Sequence, residues 1–183
     1  MSDIQVVLVT PDDTILGTTD KITAHRYAML HRAFSVFIYR FHQGAIEILL
    51  QQRQINKYHC GGLWSNSCCS HPFVDEEITS AGERRLQEEL GIQSTLQTVG
   101  RFHYVAALDN HFFENELDYV LAGTTNDADI HFNPEEVSAV QWITISDLQQ
   151  WLKMRPEQFT PWFQQAFDLC KDYLASQIKS DSN

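Results

Sequence analysis

Two runs of residues that favour β-strands lie in the first third of the chain: Ala33-Phe34-Ser35-Val36-Phe37-Ile38-Tyr39 and Ala45-Ile46-Glu47-Ile48-Leu49-Leu50, with His42-Gln43-Gly44 between them. β-Branched and aromatic residues fit a pleated surface, and a short loop containing glycine is typical of the turn between paired strands. These residues therefore predict a β-hairpin.

The segments on either side of the hairpin differ in character. Upstream, Ile4 to Val9 predicts a short strand, followed by the turn-forming stretch Pro11-Asp12-Asp13-Thr14. Downstream, the stretch from Gln54 to Pro72 is rich in Gly, Asn, Ser, His and Cys. Loops of this composition often carry binding or catalytic residues, so we predict an irregular functional loop there.

A helix is predicted from Ile78 to Leu90. Asp75 is the expected N-cap and Gly91 the expected C-terminal stop, and the apolar stripe comprises Ile78, Ala81, Leu86 and Leu90. Further strands are predicted at Leu96 to Val105, Glu116 to Ala122 and Val137 to Ile145. This mixed order indicates the α+β class.

Two helices are predicted to end the chain. The last has Thr160 as its expected N-cap and Pro161 at its first helical position, and a frayed polar tail is expected after Ser176. Its apolar face comprises Phe163, Ala166, Phe167, Cys170 and Leu174.

Composition limits the classes of function. The 183 residues, 43% of them hydrophobic, suit one globular domain. The chain has neither a signal-peptide pattern nor an apolar run of roughly 20 residues, and its four cysteines form no disulfide framework, so a cytoplasmic protein without a membrane partner is expected. With 24 acidic against 13 basic residues, non-specific nucleic-acid binding is disfavoured, and a small anionic substrate would need a local basic patch.

Histidines and glutamates at several positions suggest a metal site. Glu114 and Glu116 would project from the same face of a strand, since side chains alternate there. With His25, His31 and His71 they would form a five-ligand nitrogen and oxygen set, which suits Mn²⁺ or Mg²⁺ as well as Zn²⁺. The alternative is a solvated strand edge beside ordinary surface histidines. Because His25 to His31 looks like a variable loop, His25 is the ligand least firmly predicted.

The stretch from Arg84 to Ile92 resembles the second half of a Nudix box, in which glutamate-bound magnesium handles a diphosphate. Glu76 stands at the box's earlier glutamate, but Ser70 replaces a glycine and Arg85 replaces a glutamate. These departures count against diphosphate hydrolysis. The alternative is an amphipathic helix with an Arg85–Glu89 pair on its outer face.

The order of the motifs resembles type I isopentenyl-diphosphate isomerase, a family with the Nudix fold. The resemblance runs from about Lys21 to Trp162 and is carried by Leu30 to Ser35, Gln51 to Arg53, Asn66 to Pro72, Arg84 to Gly91, Glu114 to Glu116 and Thr160 to Trp162. It implies a Nudix-type mixed β-sheet packed between helices. It also implies one isomerase domain over residues 1–183, with a core at about 30–150, a helix at about 161–176 and a polar tail at 177–183.

The resemblance also implies an activity, the interconversion of isopentenyl and dimethylallyl diphosphate in isoprenoid biosynthesis. Cys69 and Glu116 would transfer protons on opposite faces of the allylic unit, while Cys68 would be a packing residue. Tyr104 would orient Glu116, and Trp162 would stabilise a carbocation-like intermediate through its indole face. For Tyr104 and Trp162 the alternative is ordinary core packing.

Two ions are implied by the same resemblance. His25, His31, His71, Glu114 and Glu116 would hold a divalent Mn²⁺, Mg²⁺ or Zn²⁺, and Glu89 would bind the Mg²⁺ that bridges the two phosphates. The diphosphate would be held by Lys21, Arg53, Lys57 and Arg85, which are otherwise solvated surface charges. A monomer and a homodimer both remain open.

Two rival functions remain. A Nudix hydrolase that acts on a nucleoside or other diphosphate would use the same fold for different chemistry. A non-catalytic binding or metal-storage module would need no thiol and carboxylate assembled beside a cation and a diphosphate clamp.

Overall fold

A computed structural model describes residues 4–57, 59–108, 111–126 and 129–180 of the chain. The strands are β1 Gln5–Val9, β2 Ile15–Asp20, β3 His31–His42, β4 Ala45–Arg53, β5 Trp64–Ser65, β6 Cys68–Ser70, β7 Gln97–Ala107, β8 Phe113–Thr124 and β9 Val137–Thr144. The helices are α1 Lys21–Arg26, α2 Ile78–Leu90, α3 Ile145–Met154 and α4 Phe163–Ser180, with a short 3₁₀ turn at Pro156–Gln158. Among the described residues, no helix is both long and apolar enough to cross a bilayer.

Strand β3 lies at the centre of one mixed sheet. It runs parallel to β8 and antiparallel to β1, β4 and β6. Beyond these neighbours, β2 pairs with β1, β5 and β9 pair with β4, and β7 pairs with β8. The first residues of β3 therefore adjoin β1, β6 and β8, where the functional side chains collect.

Helices cover both faces of the sheet. Phe37 of β3 and Ile48 of β4 pack on one face against residues of α3 and α4, including Phe163. Phe34 and Val36 of β3 face the other side and pack against α2. Because successive strand residues point to opposite faces, the near-continuous apolar run of β3 serves two cores. The predicted mixed sheet between helices is confirmed.

The central hairpin is confirmed as well. Its loop consists of Gln43 and Gly44, which both adopt positive φ, at 48° and 80°. Such two-residue turns match the right-handed twist of the strands that they join. The predicted strands at residues 4–9, 96–105, 116–122 and 137–145 are also present, with small shifts at their ends.

Three predicted helix ends are wrong. The N-cap of α2 is Glu77, whereas Asp75 lies in a turn with φ 63°. Helix α4 begins at Phe163 rather than Pro161, and the Thr160 hydroxyl instead hydrogen-bonds with Ser65 Oγ at 3.2 Å. At its other end α4 continues through Ser180, because no Gly or Pro follows Ser176 to stop it.

Two segments are more regular than predicted. The stretch from Gln54 to Pro72 contains the short strands β5 and β6, which pair with β4 and β3. Residues between the first strand and His31, expected as turn and loop, form β2 and the six-residue helix α1. Short elements of this kind owe their stability to tertiary contacts, so local sequence patterns indicate them weakly.

Candidate active site and metal centre

Acidic and imidazole side chains meet at one end of the parallel pair β3–β8. His31, the first residue of β3, lies opposite Glu116 in the strand register. Glu114 and Glu116 alternate with a half-buried Asn115, and both glutamates are buried. The prediction that their carboxylates share one face of the strand is therefore confirmed.

Two more histidines reach the cluster from other elements. His25 comes from α1, which is capped by Asp20, whose Oδ1 accepts a hydrogen bond from the Thr23 amide. His25 is fully buried with Nε2 2.9 Å from Glu114 Oε2. His71 follows β6, and its Nε2 lies 2.9 Å from Glu116 Oε1. His25, the least firmly predicted ligand, thus lies inside the cluster.

Backbone carbonyls fix the tautomers of two of these rings. His25 Nδ1 lies 2.6 Å from the Lys21 carbonyl oxygen, and His31 Nδ1 lies 2.8 Å from that of Met29. A carbonyl only accepts, so each Nδ1 carries a hydrogen and each Nε2 faces the cluster, where the lone pair of a neutral ring could bind an ion. Backbone hydrogen bonds of this kind are typical behind metal-binding histidines.

The possible ligand atoms of the cluster lie close together. His31 Nε2 lies 3.2 Å from His71 Nε2 and 3.4 Å from Glu116 Oε1. Ligand atoms of His25, His31, His71 and Glu116 lie within 4.8 Å of one another, and those of His25, His59 and Glu114 form a second such group. A divalent cation among lone pairs and carboxylate oxygens would remove their mutual repulsion, so the donor set fits the predicted ion.

Cys69 lines a cavity that residues of this cluster also line. The cavity is lined by Lys21, Ala33, Phe34, Arg53, His59, Cys69, Ser70, His71, Glu114, Glu116, Asp118 and Trp162. Arg53 Nη1 approaches Cys69 Sγ at 3.6 Å, and the Arg53 guanidinium lies 5.6 Å from the centroid of the Trp162 ring. The thiol, carboxylates and an indole ring thus line one cavity.

Glu116 has a third partner besides His31 and His71. The Tyr104 hydroxyl, on a residue that is 7% exposed, donates to Glu116 Oε2 at 2.5 Å. The other oxygen, Oε1, faces the two histidines. Both carboxylate oxygens are therefore held, so the orientation of the group is fixed.

The surroundings shift the pKa values of Cys69 and Glu116 in opposite directions. Burial raises the pKa of the Cys69 thiol to about 12, despite the opposing charge of Arg53. Burial also raises the pKa of Glu116, but hydrogen bonds and charges from His31 and His71 outweigh it and hold that pKa well below its usual range. The site thus combines a proton-bearing thiol with an ionised carboxylate at neutral pH.

The remaining predicted substrate residues form a second group beside the cavity. Arg85 reaches Glu89 at 2.5 Å and Glu136 at 3.6 Å, and Lys57 forms an ion pair with the same Glu136. Glu89 is 4% exposed, and its Oε2 accepts from Gln51 Nε2 at 3.0 Å. Lys21, Arg53 and Trp162 line the cavity itself, whereas Lys57, Arg85 and Glu89 are not among its lining residues.

Comparisons with known proteins show what this chain is similar to. A protein-family model described as the NUDIX domain matches residues 29–163. The chain is 45% identical over 175 residues to an isopentenyl-diphosphate Delta-isomerase from Photobacterium profundum, covering 94% of this chain and 97% of that protein. The isopentenyl-diphosphate Delta-isomerase of Serratia proteamaculans is 40% identical over 177 residues, or 97% of this chain and 95% of the relative.

The chain belongs to the isopentenyl-diphosphate Delta-isomerase family. Solved structures with less sequence similarity show the Nudix fold alone. DR0079 from Deinococcus radiodurans superimposes with a TM-score of 0.65 at 19% identity, covering 82% of this chain and 89% of that one. A NUDIX hydrolase from Nitrosomonas europaea gives a TM-score of 0.56 at 15% identity, covering 76% and 87%.

Departures from the Nudix box are visible in the structure of this isomerase-family chain. Glu76, at the position of the box's earlier glutamate, binds the Arg84 guanidinium at 2.8 and 2.9 Å and accepts from the Phe73 amide. The Arg85–Glu89 pair of the alternative interpretation is present, although Glu89 is buried. Glu76 and Glu89 are thus each paired with an arginine of α2.

Several residues of the site were not predicted. His59, 6% exposed, lines the cavity with Nε2 3.3 Å from Glu114 Oε1. Asp118 is buried and accepts from the Ser35 hydroxyl at 2.8 Å, and Asn66 accepts from Trp162 Nε1 at 3.2 Å. Asp118 continues the alternation of Glu114 and Glu116 and could have been found from it. Nothing in the sequence distinguishes His59 from a loop histidine.

Proposed function

We propose that this chain interconverts isopentenyl and dimethylallyl diphosphate by adding one proton and removing another. The main support is family membership, with relatives of that name 40 to 45% identical over most of the chain. The second support is the pairing of Cys69 and Glu116 in one cavity. The free state of the four cysteines also agrees with the proposed cytoplasmic location.

Cys69 begins the reaction with its proton in place. A thiol whose pKa is raised to about 12 remains protonated at neutral pH. Protonation of an alkene creates a tertiary carbocation, which costs far more than transfer between oxygen or nitrogen atoms. A donor with a high pKa is therefore productive only when its surroundings also stabilise the product cation.

Glu116 is the group that exchanges the second proton. Its carboxylate is ionised, and Tyr104 and the histidines hold both of its oxygens. A held carboxylate spends no energy on reorientation when it takes up a proton. A divalent ion in the histidine cluster, when bound, supplies positive charge beside Glu116 and sets how readily that carboxylate accepts a proton.

The rest of the cavity protects and stabilises the carbocation. Trp162 is 3% exposed, and its Nε1 donates to Asn66 Oδ1, which fixes the plane of the indole. A desolvated cation over an aromatic face gains roughly 2 kcal/mol. Phe34 and Ala33 contribute apolar surface to the cavity, and a substrate that displaces water from it would keep the cation from being captured as an alcohol.

The diphosphate would occupy the basic side of the site. Lys21 and Arg53 line the cavity. Arg85 and Lys57 both form ion pairs with Glu136. We propose that Glu89 would hold a Mg²⁺ ion, which would neutralise charge on the diphosphate. Support comes from the buried Gln51 Oε1 beside Glu89, an acceptor without a hydrogen-bond partner among the described residues. Displacement of Arg85 from Glu89 would then free the guanidinium to bind phosphate.

Deuterium incorporation tests the proposed reaction. Isopentenyl diphosphate is incubated in heavy water with Mg²⁺ and Mn²⁺, and nuclear magnetic resonance follows the products. We expect dimethylallyl diphosphate with deuterium in the new methyl group. Cys69→Ala should reduce the rate by at least roughly 1,000-fold, because it removes the only thiol among the described residues that line the cavity.

Cys68→Ala is the matched control. Cys68 is adjacent in sequence but fully buried beneath α2, so its loss should lower stability by about 1 kcal/mol and leave most of the activity. If Cys69→Ala retains activity, or if both variants lose it equally, the assignment of Cys69 is wrong. Cleavage of nucleoside diphosphates without isomerisation would instead establish the hydrolase interpretation, with Glu88 and Glu89 as the next residues to test.

A further inference from the structure

Asn66 lies in the two-residue connection between β5 and β6, and it is fully buried. Its Nδ2 donates to the main-chain carbonyls of Cys68 at 2.6 Å and Val36 at 3.3 Å. Its Oδ1 accepts from the Ser65 hydroxyl at 2.9 Å and from Trp162 Nε1 at 3.2 Å. One buried amide therefore joins β3, β5 and β6 to the residue that precedes α4.

The partners of the amide determine its orientation. A carbonyl only accepts, so the nitrogen must face Cys68 and Val36. An indole N–H only donates, so the oxygen must face Trp162. With both hydrogens donated and two donors accepted, the amide has its full set of hydrogen bonds. A carboxylate or an aliphatic side chain of this length could not replace it.

The hydrogen bonds continue from Asn66 to Thr160. The Ser65 hydroxyl has a single hydrogen, which it gives to Asn66, so it accepts from Thr160 Oγ1 at 3.2 Å. The Thr160 amide also donates to the Trp64 carbonyl at 3.0 Å. The segment that carries Trp162 is therefore tied to β5 through the main chain and to Asn66 through two hydroxyls. In a buried chain of this kind each hydrogen bond polarises the next.

The two ends of this network lie at the active-site cavity. Cys69 follows the Cys68 carbonyl in β6, and Cys69 and Trp162 both line the cavity, whereas Asn66 is not among the described residues that line it. We propose that Asn66 is a positioning residue for the isomerisation, because it holds the Trp162 indole at a fixed place relative to the strand that carries Cys69. A ring attracts a cation only within a few ångströms of its face, so a displaced indole would stabilise the developing charge less. The inference rests on the proposed function, in which Trp162 stabilises the carbocation.

A double-mutant cycle with Trp162 tests whether Asn66 acts through the indole. We expect Asn66→Ala to lower the isomerisation kcat roughly 10- to 30-fold with little change in KM, because stabilisation is lost mainly where charge develops. The phenyl ring of Trp162→Phe has no N–H for Asn66 to hold. In that background Asn66→Ala should therefore lower kcat by less than about threefold.

Ser67→Ala is the matched control. Ser67 is the next residue in the same connection and is also fully buried. Its hydroxyl accepts from the Ile38 amide at 2.8 Å and donates to the Leu49 carbonyl at 2.7 Å, so its loss destabilises the same region without reaching Trp162. Its kcat should stay within about twofold of that of the native protein. Equal effects of Asn66→Ala in the native and Trp162→Phe backgrounds would reduce Asn66 to a structural role and overturn the proposal.

Nuclear magnetic resonance of the ¹⁵N-tryptophan-labelled full-length protein supplies the second measurement. The indole signal of Trp162 is the one that disappears in Trp162→Phe. Its N–H should exchange slowly with solvent in the native protein and faster in Asn66→Ala. Rapid exchange in the native protein would overturn the proposal, whether or not the variant folds.

If Asn66→Ala does not fold, Ser65→Ala takes its place in the cycle. Ser65→Ala removes one of the two donors to Asn66 Oδ1, so we expect a smaller loss of kcat, roughly threefold, that is again absent in Trp162→Phe. The same loss in both backgrounds would contradict the proposal. Failure of the inference is distinguishable from failure of the proposed function. Isomerisation by the native protein with independent effects of the substitutions would reject the role of Asn66 alone, whereas no isomerisation at all would reject the proposed function.

Discussion

The hydroxyl of Tyr104 carries a contact whose loss can be measured separately from folding. Tyr104→Phe removes the 2.5 Å hydrogen bond to Glu116 and keeps the ring that packs between Phe102 and Trp162. A hydrogen bond to a charged group contributes about 1.5–3 kcal/mol, so we expect the isomerisation kcat to fall roughly 10- to 100-fold with little change in KM.

Tyr173→Phe is the control for Tyr104→Phe. The Tyr173 hydroxyl accepts from Gln97 at the surface of α4, and Tyr173 is not among the residues that line the cavity. Steady-state kinetics of both variants should separate them clearly. An unchanged kcat in Tyr104→Phe would show that the two histidines suffice to hold Glu116.

Individual site residues differ in how far the sequence could predict them. The shared orientation of Glu114 and Glu116 could be predicted, because strand geometry alone puts residues two apart on one face. Cys69 could be distinguished from Cys68 only through the family resemblance, since adjacent cysteines look alike in composition. His59 was missed because its loop has no period, and its burial depends on contacts with Arg53 and Trp162 that are distant or unpatterned in sequence.

At the scale of elements, Asp13 fastens the β1–β2 hairpin to the sheet. Asp13, in the turn with φ 74°, accepts from Arg32 Nε of β3 at 2.6 Å and from the Tyr119 hydroxyl of β8. Strand β2 leads directly into α1, which provides Lys21 and His25. These contacts of Asp13 therefore help to position β2 and α1, and α1 provides Lys21 to the lining of the cavity.

Asp13→Asn should weaken the contacts with Arg32 and Tyr119. We expect the free energy of unfolding at pH 7 to fall by about 1–2 kcal/mol, because hydrogen bonds to a partly exposed charge are lost. Urea unfolding checks the value. Asp12→Asn is the control, since Asp12 is exposed and its side chain accepts hydrogen bonds from Thr10 and Thr14 of its own turn. Equal losses in the two variants would contradict a specific role for Asp13.

The pH dependence of this effect has a definite sign. Burial raises the pKa of Asp13, but hydrogen bonds from Arg32 and Tyr119 outweigh it, so the pKa lies below its usual 3.8. A carboxyl with a depressed pKa contributes stability above its unfolded pKa and loses it as pH falls through the folded value. The difference between native protein and Asp13→Asn should therefore shrink below about pH 4.

Strands and helices could be predicted from the sequence where the pattern of apolar and turn-forming residues extended over a long continuous stretch. The β3–β4 hairpin combines β-rich runs with a glycine turn, and α2 has a clear apolar stripe ending at Gly91. Helix α1 has only six residues, and nothing in its first turn is acidic, so its start depends on the single cap from Asp20. Such elements are stabilised by what they pack against, which local sequence does not record.

At the scale of the whole molecule, the cluster of histidines and glutamates brings together parts of the chain that are far apart in sequence. Its residues are His25, His31, His71, Glu114 and Glu116. The α+β class followed from the order of strands and helices, but the parallel pairing of β3 with β8 did not. That pairing brings Glu116 opposite His31, and β6 brings His71 to the same place. Residue type suggested these residues as one set and the family resemblance implied the same set, although no spacing rule relates their positions.

This convergence predicts that the folded chain is stabilised by its cation. An ion that binds only the native cluster stabilises it by about 2.7 kcal/mol at a hundredfold excess over Kd, which corresponds to roughly 5–11 °C in Tm for a chain of this size. Differential scanning calorimetry should show the Tm rising with Mn²⁺ and falling with a chelator. In Glu114→Gln the response should largely vanish, while in Glu157→Gln, an exposed glutamate outside the cluster, it should match the native protein. If Mn²⁺ does not change the Tm of the native chain, the buried carboxylates and histidines are held together by protons and hydrogen bonds alone.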